Sequence, residues 1–315
     1  MDNAIEIRNI TKEYVKEIKV LDNVSFNVKK GDIVGYLGPN GSGKTTTIKI
    51  LTNLLRPTAG QAFINGIDAN KNPKEALKNV GALIEVPGIY DYLTPHDVLT
   101  YFGKIRGMEP AKINERIKVV LAKVKLQEWE DKKIGSFSTG MQRRLAIANA
   151  ILHEPKILIL DEPVIGLDPK GIREIREMIK EFQREGITTF LSSHLLQEVS
   201  ETCDSVIFLN GSKILAYDTV ENIQGRMAVT TIKVKFLAPV SEEIIAKLKN
   251  MEAVSSVVRK NGDIIIGFDG KPETSNEILT QMMACGYKIS SFAPEMANLE
   301  DFYVSVMSDE RGVSA

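Results

Sequence analysis

Cysteine is scarce in this chain of 315 residues, and the two present, Cys203 and Cys285, lie far apart with no C-x-x-C spacing and no histidine nearby. That argues against a disulfide framework, a thiolate metal site or a redox dithiol, and both are expected to be small buried side chains. An excess of charge of either sign is also missing: 40 Lys and Arg face 41 Asp and Glu, a formal net charge of -1. No global attraction to nucleic acid or anionic lipid follows, and a nucleic-acid partner is not expected. Long apolar runs are absent as well, none approaching the roughly 18 residues of a spanning helix. The opening Met1-Asp2-Asn3-Ala4-Ile5-Glu6 lacks a secretory n-region and h-region, so the chain is expected to stay in the cytosol. With 43% hydrophobic and 26% charged residues, the composition is that of a globular protein, and the length allows two domains.

Against these absences stand two segments that carry chemistry. Gly38-Pro39-Asn40-Gly41-Ser42-Gly43-Lys44-Thr45 has the spacing G-x-x-x-x-G-K-[ST], in which backbone N–H groups wrap an oligophosphate. Lys44 then reaches the β- and γ-phosphates and the Thr45 hydroxyl ligates a metal. An apolar run, Ile33 to Leu37, precedes it as a buried strand; Thr45 to Leu51 follows as a helix whose N-terminus faces the phosphates. The second segment is Ile157-Leu158-Ile159-Leu160, a buried strand that ends in Asp161-Glu162. Such a pair is weak evidence alone, but beside Lys44 and Thr45 it completes a magnesium nucleotide site. Asp161 can hold the metal, while Glu162 can orient and deprotonate the attacking water. His194, after the strand Phe190-Leu191-Ser192-Ser193, can donate to the γ-phosphate.

The remaining pattern organises the chain. Ile5 to Arg8 and Val24 to Val28 alternate as strands of an antiparallel edge, and Gln61 to Gly66 reads as strand and turn. Val80 to Ile84 is an apolar strand that delivers Glu85. Thr94-Pro95-His96-Asp97 opens a helix, and Ile113 to Leu126 puts Ile117, Val120, Leu121 and Val124 on one helical face. Ile172, Ile175, Ile179 and Phe182 make a helix between the Ile157 strand and a strand over Thr188 to Ser192. Strand, helix and strand imply a parallel, doubly covered sheet. Asp218-Thr219-Val220-Glu221 resembles a capping box opening a short linker helix, stopped by Gly225.

Beyond it, Thr231 to Leu237, Ser241 to Leu248, Val254 to Arg259, Ile264 to Phe268, Glu277 to Cys285 and Tyr287 to Phe292 read as β-α-β-β-α-β, with Asn261-Gly262 as a hairpin turn. A helix is expected from Asn298 to Met307. The predicted organisation is an α/β P-loop cassette with an antiparallel edge subdomain and a helical subdomain over 1–218, a linker helix over 219–229, a small ferredoxin-like α+β domain over 230–308, and a loose tail over 309–315.

Phe137-Ser138-Thr139-Gly140-Met141, followed by Gln142-Arg143-Arg144-Leu145-Ala146, sharpens the reading. With the motifs above, over residues 1 to about 218, it resembles the nucleotide-binding subunits of ATP-binding cassette (ABC) transporters, whose signature is usually written L-S-G-G-Q. The resemblance implies an ATPase that uses ATP and Mg2+. It implies phosphate binding along Gly38 to Thr46 and adenine stacking on Tyr14. Glu85 falls at the Q-loop position as a catalytic and metal-binding residue, Asp168 in the D-loop, and His194 at the switch histidine. It further implies that Ser138, Thr139 and Gly140, at a helix start, meet the ATP held by the phosphate loop of another subunit. The expected partners are therefore a second copy or another cassette subunit, and an integral-membrane permease gripped by a surface over Glu85 to Leu99. The chain would sit peripherally on the cytoplasmic face of the membrane.

Three positions depart from the family pattern: Glu85 where glutamine is usual, Met141 in the signature, and Val164-Ile165 before the D-loop. The glutamate, within Gly81-Ala82-Leu83-Ile84-Glu85, resembles the bacitracin-resistance and lantibiotic-immunity branch of exporters. Asn298-Leu299-Glu300-Asp301-Phe302 resembles the C-terminal region of type-2 exporter ATPase subunits. Residues 230 to 308 hold no histidine and one cysteine, so a structural or dimer-supporting role is expected there, with small-ligand regulation the alternative. Export of drugs, antibiotics, peptides or ions is the expected task. The competing readings are a soluble cassette acting on ribosomes or DNA, which would usually carry two cassettes or a coiled-coil insertion, and an importer ATPase, which would more often end in a β-barrel.

Overall fold

Side chains that alternate between core and solvent set the first elements of the computed structural model, which describes residues 3–15, 18–84, 88, 90–226, 231–238, 240–251, 253–260 and 263–295. β1 (Asn3–Val15) and β2 (Ile18–Lys29) pair antiparallel, with Val24, Phe26 and Val28 turned inward. β3 (Ile33–Leu37) is buried at all five positions, as a strand covered on both faces must be, and leads into α1 (Lys44–Leu51). β4 (Ala59–Ile64) and β5 (Ile67–Asp68) return to the antiparallel sheet, whose order is β2-β1-β4-β5.

After the short α2 (Pro73–Ala76), β6 (Val80–Leu83) joins the central sheet. The helical region follows. α3 (Pro95–Ile105) opens with a capping box in which the Thr94 hydroxyl accepts from Asp97 N at 3.1 Å and Thr94 N donates to the Asp97 carboxylate at 3.0 Å. Such a cap stabilises by about 1 kcal/mol. α4 (Pro110–Lys123) buries Ile113, Ile117, Val120 and Leu121, and α3, α4 and α5 (Thr139–Ile151) pack on one another.

β7 (Ile157–Leu160) is wholly buried, and α6 (Pro169–Arg184) lays Ile175, Met178, Ile179 and Phe182 against the core. Each such side chain removed from water contributes roughly 1.5–3 kcal/mol. β8 (Thr188–Ser193), α7 (Leu196–Thr202), β9 (Ser205–Asn210) and β10 (Lys213–Thr219) complete the unit. The central sheet has the order β10-β9-β3-β8-β7-β6 and is parallel from β9 to β6. Phe26 of β2, Tyr36 of β3 and Phe190 of β8 meet with ring centroids 5.4 to 5.5 Å apart, joining the two sheets. The register sets Leu37 beside Ser193 and Leu160 beside both Leu191 and Leu83. The carboxyl ends of β3, β8, β7 and β6 thus open on one edge, the usual place for a ligand in such a sheet.

Residue contacts divide the chain into units of residues 1–219 and 220–315. The second begins with α8 (Val220–Arg226), so Asp218 and Thr219 belong to β10, and Gly225 lies within the helix where the sequence reading expects it to stop one. β11 (Thr231–Phe236), α9 (Glu242–Lys249), β12 (Ser256–Lys260), β13 (Asp263–Gly267), α10 (Pro272–Ala284) and β14 (Ile289–Glu295) follow. They form an antiparallel sheet of order β12-β13-β11-β14 around a core with Ile232, Val234, Leu248, Ile264 and Ile278. Asn261-Gly262 and the 298–307 and 309–315 segments lie outside the described residues. Of the cysteines expected to be buried, Cys203 is and Cys285 is exposed: it is the C-cap of α10, past Ile278 and Met282, the residues by which that helix is buried.

Candidate active site

The chain leaves β3 at Leu37 and wraps over the start of α1. Gly41 and Gly43 have φ of 82° and 109°, a backbone that side-chain-bearing residues rarely adopt. A Cβ on Gly38 would lie 2.2 Å from the Leu209 carbonyl oxygen, so glycine there admits the close approach of β9. Gly43 caps α1 without a side chain, leaving first-turn N–H groups free to meet an anion. The Ser42 hydroxyl oxygen is buried and has no hydrogen-bond partner. A buried polar atom left unsatisfied within a loop of N–H donors is a mark of a ligand site. Lys44, 6% exposed, donates from Nζ to Gly38 O at 2.8 Å and Pro39 O at 3.3 Å.

Across from this loop, β7 ends in the two carboxylates. Asp161 is buried; its Oδ1 accepts from the Ser192 hydroxyl at 2.6 Å, and the same Ser192 oxygen accepts from Glu162 N at 2.9 Å. Glu162 has φ of 46°, an uncommon conformation for a non-glycine residue, costing on the order of 1 kcal/mol or more. Glu162 Oε1 lies 3.4 Å from Lys44 Nζ, and Oε2 lies 2.8 Å from His194 Nδ1. Since an ionised carboxylate only accepts, the Nδ1 proton of His194 points at Glu162 and fixes the ring's orientation. Arg143 of α5 is buried to 3% exposure; burial pushes its guanidinium pKa down, opposed by the charges of Asp161 and Glu162.

Tyr14 stands over the loop, 57% exposed, with its hydroxyl 3.4 Å from Thr46 Oγ1. Lys12 Nζ sits 5.3 Å from the Tyr14 ring centroid and donates to Arg56 O at 3.0 Å. Tyr14 therefore reaches the phosphate loop while most of its surface stays accessible. A recess of about 380 Å³ at the loop is lined by Asn40, Gly41, Lys44, Thr45, Thr46 and Glu162.

A second cleft, about 390 Å³, is lined by Ser138, Thr139, Gly140, Arg144, Leu167 and Asp168. None of the phosphate-loop residues lines it. Ser138 caps α5, its hydroxyl accepting from Met141 N at 3.3 Å, and Asp168 caps α6, its Oδ1 accepting from Gly171 N at 2.8 Å.

The structure thus links Lys44, Glu162 and His194 by direct contacts, ties Asp161 to the same strand end through Ser192 and brings Tyr14 to Thr46, while Ser138, Thr139, Gly140 and Asp168 line a separate cleft. Glu85 lies outside the described residues, beyond Ile84. Three side chains at the site carry no expectation from sequence: Ser192, Lys12 and Arg143. Ser192 has a legible signal, a hydroxyl at the end of a buried strand. Lys12 and Arg143 show none until register and helix packing are known.

A family model described as ABC transporter matches residues 21–165. The bacitracin transport ATP-binding protein BcrA of Bacillus licheniformis is 43% identical over 227 residues, covering 72% of this chain and 73% of that protein. The linearmycin resistance ATP-binding protein LnrL of Bacillus subtilis (strain 168) is 30% identical over 306 residues, covering 96% and 97%. Among solved structures, a dimeric post-hydrolysis state of the ATP-binding cassette MJ0796 bound to ADP and Pi matches with a TM-score of 0.62 at 26% identity, covering 69% of this chain and 98% of that one. The chain belongs to the ABC transporter ATP-binding family, whose cassettes bind and hydrolyse ATP to power transport.

Proposed function

We propose that this member of the family is the ATPase subunit of an exporter, working as a dimer of cassettes beneath an integral-membrane permease. The names of its relatives support antibiotic or peptide resistance as the setting: BcrA is named for bacitracin transport and LnrL for linearmycin resistance. Among the described residues no helix is long and apolar enough to cross a membrane. In this reading the transported molecule's path belongs to the permease. The chain sits at the cytoplasmic face, and the surface that grips the permease includes the 85–99 region. The strand order of the accessory unit supports a ferredoxin-like assignment.

The chemistry follows from the recess. The loop N–H groups, Ser42 and Lys44 bind the triphosphate, and Tyr14 stacks on adenine. Among the described residues no cluster of three His, Cys, Asp or Glu side chains gathers as a metal cage. The Thr45 hydroxyl and the Asp161 carboxylate are instead hard oxygen donors that fit Mg2+ shared with phosphate oxygens, and Glu85 is a third candidate. The metal would supply charge neutralisation at the phosphates. Ser192 holds Asp161 and the Glu162 backbone in place. Glu162 takes the proton of the water that attacks the γ-phosphate, ADP leaves, and His194, oriented by Glu162, donates to the phosphate oxygens. Ser138, Thr139 and Gly140 of a second cassette close over the nucleotide, with Asp168 at the same interface.

The observation that carries this reading is the contact of Glu162 with both Lys44 and His194 in a recess from which Ser138 is absent. Purification from native membranes through a tag on this chain tests the assignment. Co-purification of a permease without a periplasmic binding protein is expected; recovery with ribosomes or DNA alone contradicts it.

A further inference from the structure

His194 stands on a connection with little of its own to hold it. It follows β8 and precedes α7, a seven-residue helix whose N-terminus has no side-chain cap. α7 buries Val199 and Thr202, with Val199 seated on β3 at Gly35, where a Cβ would lie 2.4 Å from Val199 Cγ1. α7 also packs on α6 and β8. A guanidinium adds the polar tie to α6. Arg176 of α6 donates through Nη2 to Glu198 at 2.9 Å and through Nη1 to Glu201, so its fork spans two carboxylates one helical turn apart. Glu198 is 18% exposed and Arg176 20%, which places the pair where solvent screens it only in part. Glu201 is further ordered by Gln197 at 3.0 Å. Two residues before Arg176 on the same helix, Glu174 lies 3.4 Å from Arg144 of α5. Glu174 and Arg176 of α6 are thus fastened to the helix that Ser138 caps and to the helix that His194 precedes.

We propose that Arg176 is a positioning residue for hydrolysis: by clamping Glu198 and Glu201 it fixes α7, and through α7 it holds His194 against Glu162. The inference rests on the role given to His194 above. A lysine cannot replace the fork, because one ammonium does not hold two carboxylates in fixed geometry.

The sequence contains three histidines, His96, His153 and His194, so ring-labelled histidine NMR resolves the consequence. Arg176→Ala is expected to move or broaden the His194 ring signals, leave those of His96 and His153 in place, and lower kcat roughly fivefold to tenfold with KM for ATP within about twofold. Arg176→Lys is expected to fall between that variant and the parent, and serves if the alanine variant does not fold. Unmoved His194 signals, or an unchanged kcat in both variants, overturns the proposal. If His194→Gln hydrolyses at the parent rate while Arg176→Ala still moves the His194 signals, it is the role of His194 that fails, and with it the effect of Arg176 on turnover, but not its grip on α7.

Discussion

The phosphate recess and the signature cleft are nearly equal in volume, about 380 and 390 Å³, and opposite in chemistry. The first concentrates a buried lysine, a strained glutamate and an unpartnered hydroxyl. The second offers two capped helix starts, Ser138 on α5 and Asp168 on α6, and a guanidinium already committed to Glu174. One therefore stores the groups that act on a phosphoanhydride, whereas the other stores groups that recognise an anion brought to it. Under the proposed function each recess is half of a site, and a second copy of the chain is the simplest supplier of the other half.

The largest effect that tests this division comes from Glu162. Changing it to glutamine keeps the shape and removes the base, so phosphate release is expected to fall by at least ~100-fold while nucleotide binding persists. Hydrolysis at the parent rate would remove Glu162 from the first half. Next comes a paired comparison of Lys44→Ala and Ser138→Arg. Loss of the Lys44 charge is expected to weaken ATP binding roughly 10- to 100-fold, since hydrogen bonds to charged groups contribute a few kcal/mol. The arginine at 138 is expected to leave ATP affinity within about twofold but to stop turnover. Equal losses of affinity in a titration with a fluorescent nucleotide would mean that one chain uses both recesses itself.

A smaller effect separates the architecture of the second half from its chemistry. Asp168→Ala removes the cap of α6 and is expected to cost about 1 kcal/mol in urea unfolding, where Asp168→Asn retains most of it. If both variants match the parent, the Asp168 cap is ornamental.

A pH-dependent effect concerns the far end of α5. His153 donates from Nε2 to Val80 O, 3.1 Å away, and burial, with Arg106 adding to it, pushes its pKa down from 6.5 to about 4. The unfolded chain takes up that proton first, so the stability present above pH 6.5 is lost as pH falls toward 4. In His153→Gln, urea midpoints between pH 7 and 4.5 should decline less steeply. The same slope in both proteins would show that the His153 charge does not matter to the helix that carries the signature.

How much of this is written in the sequence depends on whether the information is contiguous. β3, the glycine loop and α1 form one uninterrupted segment, and β7 with Asp161-Glu162 another, so strand, turn and chemistry are read together. The contact between Lys44 and Glu162 joins the start of α1 to the segment after β7, and the 2.6 Å bond from Ser192 to Asp161 exists only because Leu160 pairs with Leu191 in a parallel register. Between His194 and Asp218 the sequence raises no strand expectation, yet β9 and β10 lie there. Ser205 to Asn210 holds a four-residue apolar run, Val206 to Leu209, a length at which periodicity does not separate a buried strand from a piece of helix. Family resemblance supplies the pairing of Ser138 with a neighbour's phosphate loop; local pattern alone gives no more than a helix cap.

Sedimentation of the Glu162→Gln chain with ATP and magnesium tests the two-copy site most directly. A dimer carrying one nucleotide per chain is expected, falling to nucleotide-bound monomers when Ser138→Arg is added. A Glu162→Gln chain that stays monomeric at saturating ATP, or a dimer indifferent to the arginine, would contradict the account.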